Sequence, residues 1–128
     1  MNNVHVYQEL IGHTFTKIEI KPEGDEILFH LSNGDCWQMW HRQDCCEHVR
    51  VEDICGDLDS IIGCPIFVAE EVSQRVEPKE EESWKSVESG TWTFYKFGCV
   101  KGTVTIRWLG ESNGPYSESV NFELYDND

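Results

Sequence analysis

The sequence contains no apolar run of roughly 18 residues, so no membrane span is expected. Its first residues lack the basic and apolar blocks of a secretory signal peptide, which predicts a cytoplasmic protein. Basic side chains are scarce: 10 Lys and Arg stand against 24 Asp and Glu, a formal net charge of −14. An acidic surface repels phosphate backbones, so direct nucleic-acid binding is not expected, while basic proteins are suitable partners. A plain solvated surface would carry the same charge.

The six cysteines include no Cys-x-x-Cys pair, a spacing typical of closed zinc sites. In a reducing cytoplasm they are expected to be free thiols, metal ligands or small packed side chains, and not a disulfide framework. The main interpretation therefore includes no cofactor, and zinc is the alternative. The candidate zinc ligands share imidazole or thiol chemistry and lie in one run: His41, Cys45, Cys46 and His48.

The run from His41 to His48 follows a strand-like segment and has two further interpretations. Cys45 or Cys46 could act as a nucleophile with a histidine as base and Asp44 as orienting group, which describes a thiol-dependent enzyme. Alternatively the run is structural, with one cysteine packed in the core and the polar groups capping the loop. Nothing in the run marks a helix N-terminus that would lower the pKa of a thiol.

Apolar residues alternate with polar ones over short segments, which is typical of strands with one buried face. Residues 14–41 predict an antiparallel meander, with Asn33-Gly34 in a hairpin turn. The whole pattern predicts one mainly β domain over residues 1–128, with about seven antiparallel strands and one or two short helices around residues 4–11 and 52–62. Residues 77–89 are acidic and poor in apolar side chains, and they predict a flexible loop.

Two stretches of the chain resemble each other: Leu-Ile-Gly-His-Thr-Phe at 10–15 and Ile-Ile-Gly-Cys-Pro-Ile at 61–66. Each precedes a strand, a glycine-containing turn and a strand that ends in tryptophan, Trp40 or Trp108. A duplication would divide the chain into halves 1–51 and 52–128, each a short helix plus a β-meander, related by a pseudo-twofold axis. Chance similarity is the other explanation. In a duplicated chain, the polar loops His41–Glu47 and Asn113–Glu118 would be equivalent.

Arg107 is notable because it lies on a predicted strand of an acidic chain, between Ile106 and Trp108. Arginine beside aromatic rings can hold an anion or a planar base, and an internal ion pair with one of the acids is the other interpretation. Loops on a rigid sheet are where function concentrates. We therefore place the ligand site on the two polar loops and the strand between them, and predict no catalytic residue. The candidate ligand-binding residues are His41, Gln43, Asp44, Arg107, Trp108, Asn113 and Tyr116.

Six blocks of sequence carry a resemblance to a known family, at residues 41–47, 52–58, 62–66, 91–97, 102–108 and 112–118. Typical of them are His-Arg-Gln-Asp-Cys-Cys-Glu in the first and Thr-Trp-Thr-Phe-Tyr-Lys-Phe in the fourth. With these blocks the chain resembles a family of small uncharacterised proteins encoded mainly by tailed bacteriophages. The resemblance implies an accessory protein made inside an infected bacterial cell, and it implies no activity and no functional residue.

We therefore expect a non-enzymatic binding protein that acts in counter-defence, either by sequestering a host nucleotide signal or by inhibiting a host defence protein. The alternative is a zinc- or thiol-dependent enzyme that uses the segment from His41 to His48. Exposed aromatic side chains and strand edges on a small domain favour burial against another copy, so a homo-oligomer is also expected.

Overall fold

The computed structural model describes residues 2–43, 46–76, 89–112 and 117–125. These residues form nine strands and two 3-10 turns, with no α-helix among them. The strands are β1 (Asn2–Val6), β2 (Phe15–Ile20), β3 (Glu26–Leu31), β4 (Cys36–Trp40), β5 (Glu47–Cys55), β6 (Val68–Val76), β7 (Ser89–Cys99), β8 (Gly102–Ser112) and β9 (Asn121–Leu124). The turns are Gln8–Leu10 and Leu58–Ile61. No described helical segment is long and apolar enough to cross a membrane.

All the strands pair antiparallel in two sheets, which confirms the prediction of a mainly β fold. The order is β1-β6-β7-β8-β5 in the five-stranded sheet and β2-β3-β4-β9 in the four-stranded sheet. The predicted hairpin at Asn33-Gly34 joins β3 to β4, and there Gly34 takes a φ of +97° that side-chain-bearing residues rarely adopt.

The predicted short helices appear only as the two 3-10 turns. Residues 2–6, which overlap the first predicted helix, form β1, which pairs residue by residue with β6 from Asn2–Gln74 to Val6–Glu70. The second predicted helix is also shortened, since β5 continues along β8 as far as Cys55. Pairing with strands far away in sequence satisfies these backbone groups, and this outweighs the local helical periodicity.

The two halves of the chain share one order of elements. In each half a 3-10 turn precedes a three-stranded meander, β2-β3-β4 or β6-β7-β8, and the next strand crosses to the sheet of the other half. Gly12 N donates to Ile66 O at 2.7 Å, and Gly63 N donates to Phe15 O at 2.9 Å. The two glycines also have matching φ angles of +89° and +90°. Apart from β1, which has no counterpart among the described strands of the second half, the halves thus have the same topology, with their last strands exchanged.

The core lies between the inner faces of the two sheets. Phe29 and Met39 of the four-stranded sheet and Phe97 and Trp108 of the five-stranded sheet have no exposed surface. Phe122 of β9 lies among rings from both sheets, 5.6 Å from Phe29 and 5.9 Å from Phe97 between centroids. The exchanged strand β9 is therefore held by the core as well as by its pairing with β4.

One expectation about the cysteines is wrong. Cys64 and Cys99 form a disulfide, with Cα atoms 6.2 Å apart and a sequence separation of 35 residues. The bond joins the segment before β6 to the end of β7, which the antiparallel pairing of these two strands brings together at Val68 and Gly98. Cys36 and Cys55 are free thiols. The predicted flexible loop at 77–89 lies outside the described residues except for Ser89, the first residue of β7.

Candidate functional site

Alternation along β7 and β8 gives the five-stranded sheet a buried inner face and an outer face. Tyr95 and Ile106 pair across these strands and are fully buried on the inner face. The next pair along, Phe94 and Arg107, therefore lies on the outer face, and so does Trp92. Residues that are neighbours in sequence, such as Ile106 and Arg107, thus lie on opposite faces, one buried and one at the surface.

The outer face carries stacked aromatic rings beneath a guanidinium group. The rings of Trp92 and Phe94 are separated by 6.0 Å between centroids and lie within 14° of parallel. The central carbon of the Arg107 guanidinium lies 5.3 Å from the centre of the Trp92 ring. A cation at this distance is attracted by the negative face of the indole. We call these three residues, together with Asp53 and Leu109, the Trp92 surface.

Asp53 of β5 holds Arg107 over the tryptophan. A β-bulge between Val51 and Asp53 places Asp53, and not Glu52, opposite Arg107. Arg107 Nε and Nη2 donate to the two carboxylate oxygens of Asp53, and both side chains are well exposed, at 37% and 44%. The pairing holds the pKa of Asp53 below its ordinary value and that of Arg107 above its own. Arg107 therefore has the ion pair that its sequence context suggested, at the surface and not in the core.

The outer face of the five-stranded sheet is close to electrical balance, although the chain carries −14. Arg50 contacts both Glu111, at 2.7 Å, and Glu52, at 3.3 Å. Across the described rows of β5 to β8, three basic side chains face four acidic ones: Arg50, Lys96 and Arg107 against Glu52, Asp53, Glu70 and Glu111. Most of the acidic excess of the chain therefore lies elsewhere.

The structure separates Trp108 from Arg107. Trp108 is completely buried on the inner face, where its Nε1 donates to Met39 Sδ at 3.1 Å. Its ring fills the space between the sheets and has no surface on which a ligand could stack. The residue that takes this position beside Arg107 is Trp92, on the neighbouring strand.

His41 lies inside the protein and meets the end of the second polar loop. Its side chain is 4% exposed, and that of its partner Glu47 is 1% exposed. Nδ1 donates to the carbonyl oxygen of Ser119 at 2.7 Å, and Nε2 lies 2.8 Å from Glu47 Oε2. The first predicted loop, through His41 and Glu47, thus meets Ser119, the residue that follows the second predicted loop. The contact is made by a buried imidazole whose two nitrogens are both engaged, on the side of the sheet away from Arg107.

A second carboxylate, that of Glu118, lies at the same end of the five-stranded sheet as Glu47. Glu118 accepts hydrogen bonds from Thr91 Oγ1, at 2.6 Å, and from Ser112 Oγ. Gly110 lies directly beneath, and a Cβ there would sit 2.5 Å from the Glu118 carbonyl oxygen. This close approach allows residues 117–120 to cover the inner face of β8. The polar groups of this end are satisfied by one another, as buried polar groups require.

The remaining predicted residues are divided between surface, sheet and undescribed positions. Gln43 donates from Nε2 to the Val49 carbonyl oxygen at 2.9 Å, which braces the loop before β5. His48 pairs with Glu111 on the outer face, so the imidazoles of His41 and His48 lie on opposite sides of β5. Asp44, Cys45, Asn113 and Tyr116 lie outside the described residues. Within the described part of the chain, no group of three or more His, Cys, Asp or Glu side chains could hold a metal ion.

Sequence reasoning did not place Trp92, Phe94 or Asp53 in the site. Trp92 and Phe94 stand two residues apart on a predicted strand, which was enough to place them on one face. Which face is exposed depends on the packing of the two sheets, and the pairing of Asp53 with Arg107 depends on a bulge 54 residues away in sequence. The sequence could therefore show that Trp92 and Phe94 share a face, but not that this face is exposed or that Asp53 pairs with Arg107.

Comparison with known proteins places the chain in a family. No curated protein and no solved structure matches it significantly. One family model matches residues 8–122, which span both meanders and the whole of the Trp92 surface. The chain therefore belongs to the family described as a domain of unknown function, DUF7448.

Proposed function

We propose that this chain is a bacteriophage accessory protein that acts by binding, and that it inhibits a host defence protein through the Trp92 surface. The observation that carries the proposal is the Arg107 guanidinium held over Trp92, beside Phe94, on a face near charge balance. Tryptophan and arginine are enriched among the residues that dominate binding energy at protein interfaces. Aromatic side chains and arginine are also enriched at such interfaces relative to the rest of the surface.

The state of Arg107 favours a protein partner over a small nucleotide. Asp53 already accepts two of its N–H groups, so an anionic ligand would have to displace a carboxylate. A protein partner can leave the pair in place and cover the rings. Because the rest of the chain is strongly acidic, the matching partner has an apolar centre and a basic rim.

The segment from His41 to His48 gives less support to an enzyme. Its described imidazoles lie on opposite sides of β5, and that of His41 is bonded on both nitrogens. A general base or metal ligand needs a free ring nitrogen that can reach its substrate or ion. The proposal therefore rests on the outer face of the sheet and not on this segment.

The test compares two tryptophans, one on each sheet. Wild type, Trp92→Ala and Trp40→Ala are immobilised and exposed to lysate of infected host cells, and retained proteins and small molecules are identified by mass spectrometry. The retained protein is then purified and titrated by calorimetry against each of these proteins and against Arg107→Ala. Trp92→Ala and Arg107→Ala should weaken binding about tenfold or more, whereas Trp40→Ala should bind like wild type. Circular dichroism checks that each variant is folded.

Two outcomes would contradict the proposal, and a third would change the description of the partner. Equal losses for Trp92→Ala and Trp40→Ala would move the site away from the Trp92 surface. Retention of a nucleotide, and of no protein, would favour sequestration of a small signal. Binding that does not weaken with added salt would remove the basic rim from the description of the partner.

A further inference from the structure

The two sheets have four edge strands, and three of them carry the features that keep edges from pairing with another chain. β2 has a bulge between Phe15 and Lys17, and β5 has one between Val51 and Asp53. β9 is only four residues long and contains Glu123. Bulges, short length and charged side chains are the usual protection of a sheet edge.

β1 has none of these features. It runs from Asn2 to Val6 with the sequence Asn-Asn-Val-His-Val, which contains no Asp, Glu, Lys, Arg or Pro. Its register with β6 is continuous over five residues and shows no bulge. No described strand pairs with its second edge. In a chain of charge −14, this edge is a place where another copy can approach without placing like charges opposite each other.

The pairing of β1 with β6 shows which backbone groups of β1 point toward its free edge. Tyr7 N donates to Ala69 O at 3.0 Å, so Tyr7 and, by alternation, His5 and Asn3 direct their N–H and C=O groups toward β6. The N–H and C=O groups of Asn2, Val4 and Val6 therefore point away from the sheet. They repeat every second residue, as a further antiparallel strand requires.

We propose that the chain forms a twofold homodimer in which β1 of one copy pairs antiparallel with β1 of the other, centred on Val4. Val4 then faces the Val4 of the partner subunit in a doubly hydrogen-bonded pair, and Asn2 faces the partner's Val6 in another. Only the residues with outward backbone groups take part in these bonds. A strand pairs with its own copy in this way when its centre coincides with a residue whose groups point outward, and the centre of β1 meets this condition.

The dimer joins two five-stranded sheets into one of ten strands. In an antiparallel pair within a sheet, matched side chains lie on the same face, so the outer faces of both copies look in the same direction. β7 is third from the edge, so five strand spacings, about 24 Å, separate the two copies of β7. The assembly would therefore present two Trp92 surfaces side by side. The dimer forms whether or not those surfaces bind a partner, so Trp92→Ala is expected to remain dimeric.

The test removes one N–H group from the free edge. Val4→Pro lacks the donor and places a ring at the edge, while the bonds from Asn3 and His5 to β6 remain. Val4→Thr is the matched control, since it keeps the N–H and is equally compatible with a strand. Light scattering should give wild type and Val4→Thr twice the 14.8 kDa mass of one chain. Val4→Pro should raise the dimer Kd by about a hundredfold or more.

Hydrogen exchange of the wild-type chain provides a second measurement that needs no variant. The amide of Val4 should exchange slowly at concentrations where the dimer forms, and faster on dilution, while the amide of His5 should stay protected in both. The proposal is overturned by a monomeric wild type at high micromolar concentration. It is equally overturned by a folded Val4→Pro that remains a dimer, or by rapid exchange at Val4 in a dimeric sample.

Discussion

Trp92 and Trp40 stand on the outer faces of the two sheets, in very different surroundings. Trp92 is stacked against Phe94 and covered by a guanidinium group, so its ring meets both apolar and cationic groups. Trp40 instead directs its indole N–H to a carboxylate, Glu123 Oε2, at 3.1 Å. The same residue type thus lies among aromatic and cationic groups in one sheet and in a polar network in the other.

The rest of the four-stranded face continues the polar pattern. Gln38 donates to Glu26 at 2.7 Å, and His30 donates from Nε2 to Glu19 at 2.8 Å. Acidic side chains dominate these rows, which is typical of a solvated face. Both sheets are built on the same kind of three-stranded meander, so topology does not explain the difference. The difference between the two outer faces comes from the side chains at the outward positions of the central strands.

The largest effects are expected from the leucines that lie on each outer face. Leu28 is 8% exposed and Leu109 is 5% exposed, although both are on outward positions. Each replacement by Ala should lower the free energy of unfolding by about 2–4 kcal/mol, because both leave a cavity among covered side chains. Only Leu109→Ala should also weaken partner binding, since Leu109 lies beside Trp92. Urea unfolding measures the first effect and calorimetry the second. A loss below about 1 kcal/mol for Leu109→Ala would show that its cover is loose.

An intermediate effect is expected from the free thiols of the two sheets. Burial raises the pKa of Cys36, and the nearby carboxylates of Glu19 and Glu26 raise it further. Cys55, at the end of β5, is exposed. Because the thiolate is the reactive form, iodoacetamide at pH 8 should alkylate Cys55 several-fold faster than Cys36, as followed by peptide mass spectrometry. Glu26→Gln should speed the reaction at Cys36 and leave Cys55 unchanged. Faster alkylation of Cys36 than of Cys55 in the wild type would show that burial and the two carboxylates do not control its reactivity.

The smallest effect concerns one carboxylate on each face. Hydrogen bonding to Arg107 lowers the pKa of Asp53, and hydrogen bonds to His30 and then Lys17 lower that of Glu19. A lowered folded pKa means that each pairing stabilises the fold above the ordinary pKa and is lost as the pH falls through the folded value. Carboxyl NMR titration should show Asp53 returning to its ordinary range in Arg107→Gln, with Glu19 unchanged. In His30→Asn the pKa of Glu19 should rise toward its ordinary value, while that of Asp53 stays unchanged. A joint shift of both carboxylates in either variant would indicate that the faces are coupled.

The β-rich class could be predicted from alternation, and so could the hairpin at Asn33-Gly34. These are local properties, since one apolar face and one turn residue are enough to specify them. The helical assignment of residues 4–11 is confirmed only by the 3-10 turn Gln8–Leu10, and at residues 4–6 it is wrong for a nonlocal reason. The first segment gains a complete ladder with β6, and a sequence pattern cannot reveal a partner that lies far along the chain.

The site shows the same division. Arg107 was identified from its place on a strand beside aromatic residues, and the structure does set it against a tryptophan. The tryptophan is Trp92 and not its neighbour Trp108, because adjacent residues on a strand point to opposite faces. That rule was available from the sequence. The partner carboxylate of Asp53 was not, since its position depends on a bulge in another strand.

The sequence by itself therefore determined the strand pattern, the acidic charge and the alternation that groups Trp92 with Phe94. It could do so because each depends only on residue type and on spacing along the chain. The tertiary structure alone decided which face of each strand is covered, which half supplies the last strand of each sheet, and that Cys64 meets Cys99. These features depend on pairing between distant segments, where burial of apolar surface and satisfaction of backbone groups are decided together for the whole molecule.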